Sequence, residues 1–203
     1  MLFRSLDPDL ARKLPGQFPG TNLEVVNQDI LTFDLSKLPK NYVVVANVPY
    51  YITSKIIQLL TTASNKPRTI VLLIQKEVAE RLAAEPGNMS ILAVSAQIYA
   101  TVRLGDVVPA ELFTPPPKVD SQVVILEMRP QPLIQPEQEK LFFRVVKAGF
   151  VAKRKKLKTS LSNGLHLAKP VIEDLLRKHA ISPDDRAEDL SLQNWIDVSQ
   201  DLS

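Results

Sequence analysis

The chain has 203 residues, 45% of them hydrophobic and 23% charged, with a formal net charge of +3 and a pI near 9.1. That length supports one sizeable core and a small second domain, and the mild basic balance is compatible with nucleic acid without demanding it. Cysteine is absent and the only histidines are His166 and His179, which excludes disulfides, thiolate zinc sites, a cysteine nucleophile and a histidine-rich metal centre. No apolar run approaches the roughly 20 residues of a membrane helix and no signal-peptide core opens the chain, so a cytoplasmic protein is expected.

The first two-thirds alternates strand and helix signals. "NLEVVNQDIL" predicts a short strand at 23–26, and "YVVVAN" a second at 42–46 with no period-2 polarity. Continuous apolar strands of this kind suit a parallel sheet covered on both faces. "ITSKIIQLLTT" reads as a helix, "RTIVLLIQ" as another buried strand, and "KEVAERLAAE" as the next helix. "ILAVSAQIYATV" reads as a helix running into a strand, and "SQVVILEMRP" as a late strand. Alternation of this sort predicts a doubly wound α/β domain over residues 1–130. Pro130, Pro132 and Pro136 then mark a linker, and residues 131–203 carry only helical patterns. In "PEQEKLFFRVVKAGF" the residues Leu141, Phe142, Val145, Val146 and Phe150 share one face; "KKLKTSLSNGL" is expected to stop at Asn163-Gly164; "KPVIEDLLRKHA" starts on Pro170; and "SLQNWIDVSQDL" sets Leu192, Trp195 and Ile196 at helical spacing.

Charge is distributed unevenly along the chain. Residues 1–130 carry 13 basic and 12 acidic side chains, whereas the stretch from Lys140 to Lys158 has eight basic residues and no acid. Within it lie Lys153, Arg154, Lys155, Lys156 and Lys158. Read as one helix, this run sets Arg154, Leu157, Lys158 and Leu161 on one side and points Lys153, Lys155 and Lys156 outward. Its five charges are too close together for all of them to pair with local acids, because the next acid in the chain is Glu173. Such a run is either a solvated face or a set of phosphate contacts.

Ligands of open α/β sheets bind beyond the carboxyl ends of the strands, and "NVPY" lies at such an end. The Asn47 side-chain carbonyl, with the backbone carbonyl before or at Pro49, can accept both hydrogens of an exocyclic amine and leave its lone pair exposed. Tyr50 can stack on the ring that bears the amine. The alternative is a strand-to-helix turn with one buried ring. "ELFTPPPKVDSQVVIL" holds Phe113 ahead of three prolines, which is either a stiff arm over a pocket or a rigid surface loop before an edge strand. Asp29, just past the apolar strand at 23–26, is either an acceptor for an adenine amine or a turn residue.

Taken together and in order, "NVPYYITSKIIQLL", "LIQKEVAERL", "FTPPPKVDSQVVIL", "KRKKLKTSLSN" and "RAEDLS" resemble the small-subunit ribosomal RNA adenine dimethyltransferases, the KsgA/Dim1 family. The resemblance runs from about Leu6 to Leu190. It implies a class I, Rossmann-like methyltransferase sheet with a small all-helical C-terminal domain. It also implies transfer of methyl groups from S-adenosylmethionine to N6 of two adjacent adenines in small-subunit RNA. By that likeness Asn47 and the Pro49 region hold the target amine, and Tyr50 and Phe113 sandwich the base. Asp7, Asp29 and Ile30, with Asn47, lie along the cofactor, and the basic run faces RNA on a pre-30S-type particle; no metal or membrane is implied, and a monomer is expected. The family's glycine-rich E-x-G-x-G-x-G loop does not occur in these 203 residues, and Ser5 stands where the family carries an acidic residue. The sheet is therefore expected to be incomplete at its N-terminal side, lacking the central strand between residues 1–6 and 42–46. Either the sequence is a fragment of the enzyme, or it is a catalytically silent RNA-binding assembly module.

Overall fold

The computed structural model describes residues 1–202. Six strands, β1 (Leu2–Ser5), β2 (Glu24–Asn27), β3 (Val43–Asn47), β4 (Thr69–Gln75), β5 (Ala100–Val108) and β6 (Ser121–Met128), alternate with the helices α1 (Pro8–Gln17), α2 (Thr53–Thr62), α3 (Lys76–Leu82) and α4 (Ile91–Gln97). Four more helices follow: α5 (Pro136–Phe150), α6 (Leu157–Leu165), α7 (Lys169–Lys178) and α8 (Leu192–Gln200). This is the mixed α/β architecture with a helical C-terminal part that the sequence predicts. The first two expected strands shift by one residue, so Asn47 closes β3 rather than following it.

Among the described residues the strands form two separate pieces, β2-β1 and β3-β4-β6-β5. β1 pairs only with β2, and β3 only with β4, both in parallel. These are the two strands between which a central strand is expected to be missing. On β3, Val43 is 46% and Val45 76% exposed. The expected burial of both sheet faces is therefore not met. Ile70, Leu72 and Ile74 of β4 are fully buried against Ile56, Ile57 and Leu60 of α2 and Ala79 and Leu82 of α3, while the alternate residues of β4 are only half-buried. Each such aliphatic side chain removed from water contributes about 1.5–3 kcal/mol, so this one face holds the domain together.

At its far side the sheet is not parallel. β6 runs antiparallel between β4 and β5, so the segment ahead of it does not lead into an edge strand. β5 is bulged between Leu104 and Val107, and at Gly105 a side chain would meet Val123 at 3.1 Å.

The helical part has its own core, built on Phe142, Val145 and Val146 of α5, Leu157 and Leu161 of α6, Ile172 and Leu176 of α7, and Trp195 of α8. That core also takes in Met89, Ala93, Val94, Ile98 and Tyr99 from ahead of the proline segment, so the helices rest on α4. Gly164 does not stop α6. The helix continues to Leu165 and turns at His166, whose φ of 59° makes it the left-handed cap. Gly164 is instead where α6 meets α5 most closely: an added Cβ would lie 2.5 Å from the Cβ of Ala148.

The basic run is not one helix. Residues 151–155 form turns, Lys156 is extended (φ −60°, ψ 145°), and α6 begins at Leu157. The reason lies far along the chain. The carbonyls of Asp185 and Pro183 accept from the Leu157 and Lys158 N–H groups, capping α6 with the 182–185 turn. The same turn brings Asp184 to Lys156 at 2.9 Å and to Lys158 at 3.1 Å, and Glu173 of α7 reaches Lys158 at 2.9 Å. Lys156 and Lys158 are therefore paired, and among the described residues Lys153, Arg154 and Lys155 of the run have no acidic partner.

The pairing makes stability depend on pH. The Lys158 ammonium holds the Glu173 carboxyl below its ordinary range, and Lys156 with Lys158 does the same to Asp184. A lowered carboxylate contributes stability above its unfolded pKa and loses it as pH falls through the folded value. The reciprocal rise at Lys158 keeps the other half of the pair charged until strongly alkaline pH. We expect the double variant Glu173→Gln, Asp184→Asn to melt below wild type at neutral pH. The difference should vanish at a pH low enough to protonate both carboxylates in the wild type. A gap in melting temperature of equal size at both pH values would contradict this.

Candidate active site

The parallel ladder sets Asn47 opposite Leu73, and the antiparallel ladder sets Leu73 opposite Val123 and Gln75 opposite Ser121. The carboxyl ends of β3 and β4 thus lie beside the start of β6. The proline-rich segment that precedes β6 is delivered to the same place. Its two ends are stapled by the Asp120 carboxylate, which accepts from the Ala110 N–H at 3.0 Å, and the Asp120 carbonyl accepts from Lys76 N–H of α3. Between strand end and loop lies a cavity of about 360 Å³ lined by Asn47, Val48, Pro49, Tyr50, Phe113, Thr114, Pro115 and Pro117. All four catalytic candidates, Asn47, Pro49, Tyr50 and Phe113, line it together.

Within this cavity the acceptors are distinguishable. The Pro49 carbonyl already accepts from the Ile52 N–H at 3.2 Å and the Thr53 hydroxyl at 3.4 Å. No hydrogen bond within the protein engages the Val48 carbonyl or the Asn47 side-chain amide. A carbonyl has two lone pairs, so Pro49 is satisfied while its neighbour is free. Of the two backbone acceptors open from the sequence, Val48 is the available one, and Pro49 serves as the turn that presents it.

Tyr50 opens a 3-10 turn, Tyr50–Ile52, at the head of α2. Its hydroxyl lies 2.8 Å from the hydroxyl of Ser121, which is 1% exposed. Ser121 escapes a reading of the sequence because nothing local marks it; only the antiparallel pairing of β6 brings it to Tyr50. The bond ties the Tyr50 phenol to the first residue of β6, while Phe113 lines the same cavity.

The candidates along a cofactor are less free. Asp29 accepts from the Leu31 N–H at 2.9 Å, capping the turn in which Ile30 lies. Asp7 caps α1, accepting from Asp9 and Leu10 N–H. Each of these caps uses one carboxylate oxygen and leaves the other. The basic candidates lie elsewhere, Lys153 to Lys156 in the connection between α5 and α6 and Lys158 in the first turn of α6. No group of three or more His, Asp or Glu side chains that could hold a metal occurs among the described residues, and none of their helices is long and apolar enough to cross a membrane.

Ser121→Ala leaves the Tyr50 hydroxyl without its partner. We expect it, and Tyr50→Phe, each to cost about 0.5–1.5 kcal/mol in denaturant unfolding. The double variant should cost less than the two single losses added together, because both remove the same bond. Strict additivity would mean that the two hydroxyls do not interact.

Comparison with known proteins agrees with this architecture. The family model described as ribosomal RNA adenine dimethylase matches residues 5–203. A "Ribosomal RNA small subunit methyltransferase A" from Dehalococcoides mccartyi (strain CBDB1) is 38% identical over 194 residues, covering 94% of this chain and 67% of the relative. The protein of the same name from Bacillus mycoides (strain KBAB4) is 36% identical over 196 residues, covering 91% and 67%. Among solved structures, the 23S rRNA methyltransferase ErmE superposes with a TM-score of 0.79 at 26% identity, over 98% of this chain and 80% of that one. A dimethyladenosine transferase from Plasmodium falciparum shares the fold, with a TM-score of 0.79 at 24% identity over 97% and 79%. With its Asn47-to-Tyr50 strand end and facing proline loop inside a match of nearly its whole length, this chain belongs to the ribosomal RNA adenine dimethylase family.

Proposed function

We propose that the chain carries the acceptor half of an N6-adenine dimethyltransferase acting on small-subunit ribosomal RNA, with S-adenosylmethionine as methyl donor. The observation that supports this most is the pair of unengaged acceptors, the Asn47 amide oxygen and the Val48 carbonyl, at the mouth of a cavity walled by Tyr50 and Phe113. An adenine amine offers two N–H donors. Held by both acceptors, its nitrogen lone pair points away from them, toward an incoming methyl group. The base reaches such a pocket by leaving its stack, and the two rings replace the stacking it gives up.

When bound, S-adenosylmethionine supplies an electrophilic methyl on a sulfonium. The chain's own work is to orient the amine and exclude water from it. No strong base is needed, since the nitrogen sheds a proton to solvent once it has become cationic. The lining accordingly contains no carboxylate or imidazole. The unused carboxylate oxygen of Asp29 suits a donor's adenine amine, whereas the glycine-rich backbone that would approach its methionine end is not part of these 203 residues. We therefore expect this chain to bind S-adenosylmethionine weakly. Lys153, Arg154 and Lys155, which lack acidic partners, are the phosphate contacts in this reading; Lys156 and Lys158 hold α6 in place. The protein would act as a cytoplasmic monomer on an immature small-subunit particle.

Two measurements test the reading. In a version supplied with the family's glycine-rich segment ahead of residue 1, Asn47→Ala should lower methyl transfer to small-subunit RNA about 10²–10³-fold, as loss of one preorganised transition-state contact does. In binding, it should abolish any preference for adenosine over purine riboside, which lacks the amine. Turnover and preference near wild type would remove Asn47 from its role. Separately, reversing Lys153, Arg154 and Lys155 to Glu should weaken RNA binding and flatten its salt dependence, each lost phosphate contact taking roughly 0.7–0.9 from the logarithmic slope. Neutralising Lys156 should leave that slope nearly unchanged, and equal effects from both changes would contradict the division between free and paired lysines.

A further inference from the structure

Each wall of the cavity is built the same way. Tyr50 is the first residue of the 3-10 turn Tyr50–Ile52, and Phe113 closes the 3-10 turn Ala110–Leu112. Successive side chains on a 3-10 turn diverge by about 120°, so the neighbour of a ring that enters the cavity must point elsewhere. On both walls that neighbour is large, apolar and left in water: Tyr51 is 83% exposed and Leu112 70%. Tyr51 is more exposed than any other large apolar side chain among the described residues. No hydrogen bond, ion pair or ring contact engages it.

A single exposed apolar residue needs no explanation, but each of these two adjoins in the chain a ring that lines the cavity. Tyrosine loses little conformational entropy on binding and offers a flat face to stack against. Resting on the reading of the cavity as an adenine pocket, we propose that Tyr51, with Leu112 as its counterpart on the other wall, is an outer stacking station. It takes the base next to the one held between Tyr50 and Phe113. Its ligand is single-stranded RNA, engaged two nucleotides at a time. Tyr51 is then a positioning residue, holding the flanking nucleotide while the inner amine sits against Asn47 and Val48.

The test uses the 203-residue chain and short single-stranded RNAs with one adenosine as the inner base. The fluorescent base 2-aminopurine is placed on its 5′ side in one RNA and on its 3′ side in the other. Wild type should quench 2-aminopurine on one of the two sides. Tyr51→Ala should abolish that quenching and weaken binding roughly 5- to 150-fold, the range expected for loss of one base stack. Tyr51→Phe should restore both, because it keeps the ring, and Leu112→Ser should give a smaller loss. Circular dichroism confirms that each variant is folded. Unchanged quenching and affinity in Tyr51→Ala, alongside weakened binding in Tyr50→Ala, would overturn the outer station and leave the pocket reading intact. Binding that Tyr50→Ala does not weaken would overturn both.

Discussion

The antiparallel insertion of β6 between β4 and β5 is the constraint on which the site depends. In a parallel sheet the segment entering a strand arrives at the end opposite the ligand side. Because β6 runs the other way, its first residue, Ser121, pairs with Gln75 at the carboxyl end of β4. The proline loop ahead of Ser121 is therefore placed over the carboxyl end of β3, where Asn47 lies. Two short bonds lock the arrangement: Tyr50 to Ser121 across the cavity, and Asp120 to Ala110 across the base of the loop. Removing the reversal would separate Phe113 from Tyr50 by the length of a strand.

That geometry also explains how the chemistry is divided. The half of the site proposed to handle the target base is assembled within β3, its following turn and the loop before β6, with the Asn47 amide and the Val48 carbonyl left open. The half that would handle a donor lies toward β1 and β2, the separate strand pair. There Asp7 and Asp29 spend part of their capacity capping turns. Arg4, on β1, stacks over Phe33 with its Nε and one terminal nitrogen buried and unpartnered, and burial lowers its pKa. The exposed valines of β3 and the unpaired guanidinium of Arg4 mark this side as the less satisfied part of the molecule.

Much of this was legible in the sequence, and what was not has physical causes. The period of apolar residues showed the strands and helices from β2 to β6, the strands to within a residue or two, because those elements are set by local pattern, whereas β1 and α1 carry no such period and were not read from it. Asn47, Tyr50 and Phe113 were legible as residue types suited to holding an aromatic amine, and family resemblance tied them together. The direction of β6 was not legible, since an apolar strand reads the same either way. Ser121 and the choice of Val48 over Pro49 depend on contacts between distant segments. So does the fate of Lys156 and Lys158, whose partners Glu173 and Asp184 lie in later elements. Gly164 looked like a helix stop, yet its role is a close approach to Ala148 that only the packing of α6 on α5 reveals.

The central claim is that the strand end of β3 and the proline loop together hold an adenine by its amine. The most direct measurement is an experimental structure of the chain bound to a short single-stranded RNA containing adjacent adenines. The account predicts one adenine ring between Tyr50 and Phe113, with its exocyclic nitrogen within hydrogen-bonding distance of both the Asn47 side-chain oxygen and the Val48 carbonyl. An adenine bound in that cavity with its amine turned to solvent, or RNA bound only at the 153–155 turn with the cavity empty, would contradict it.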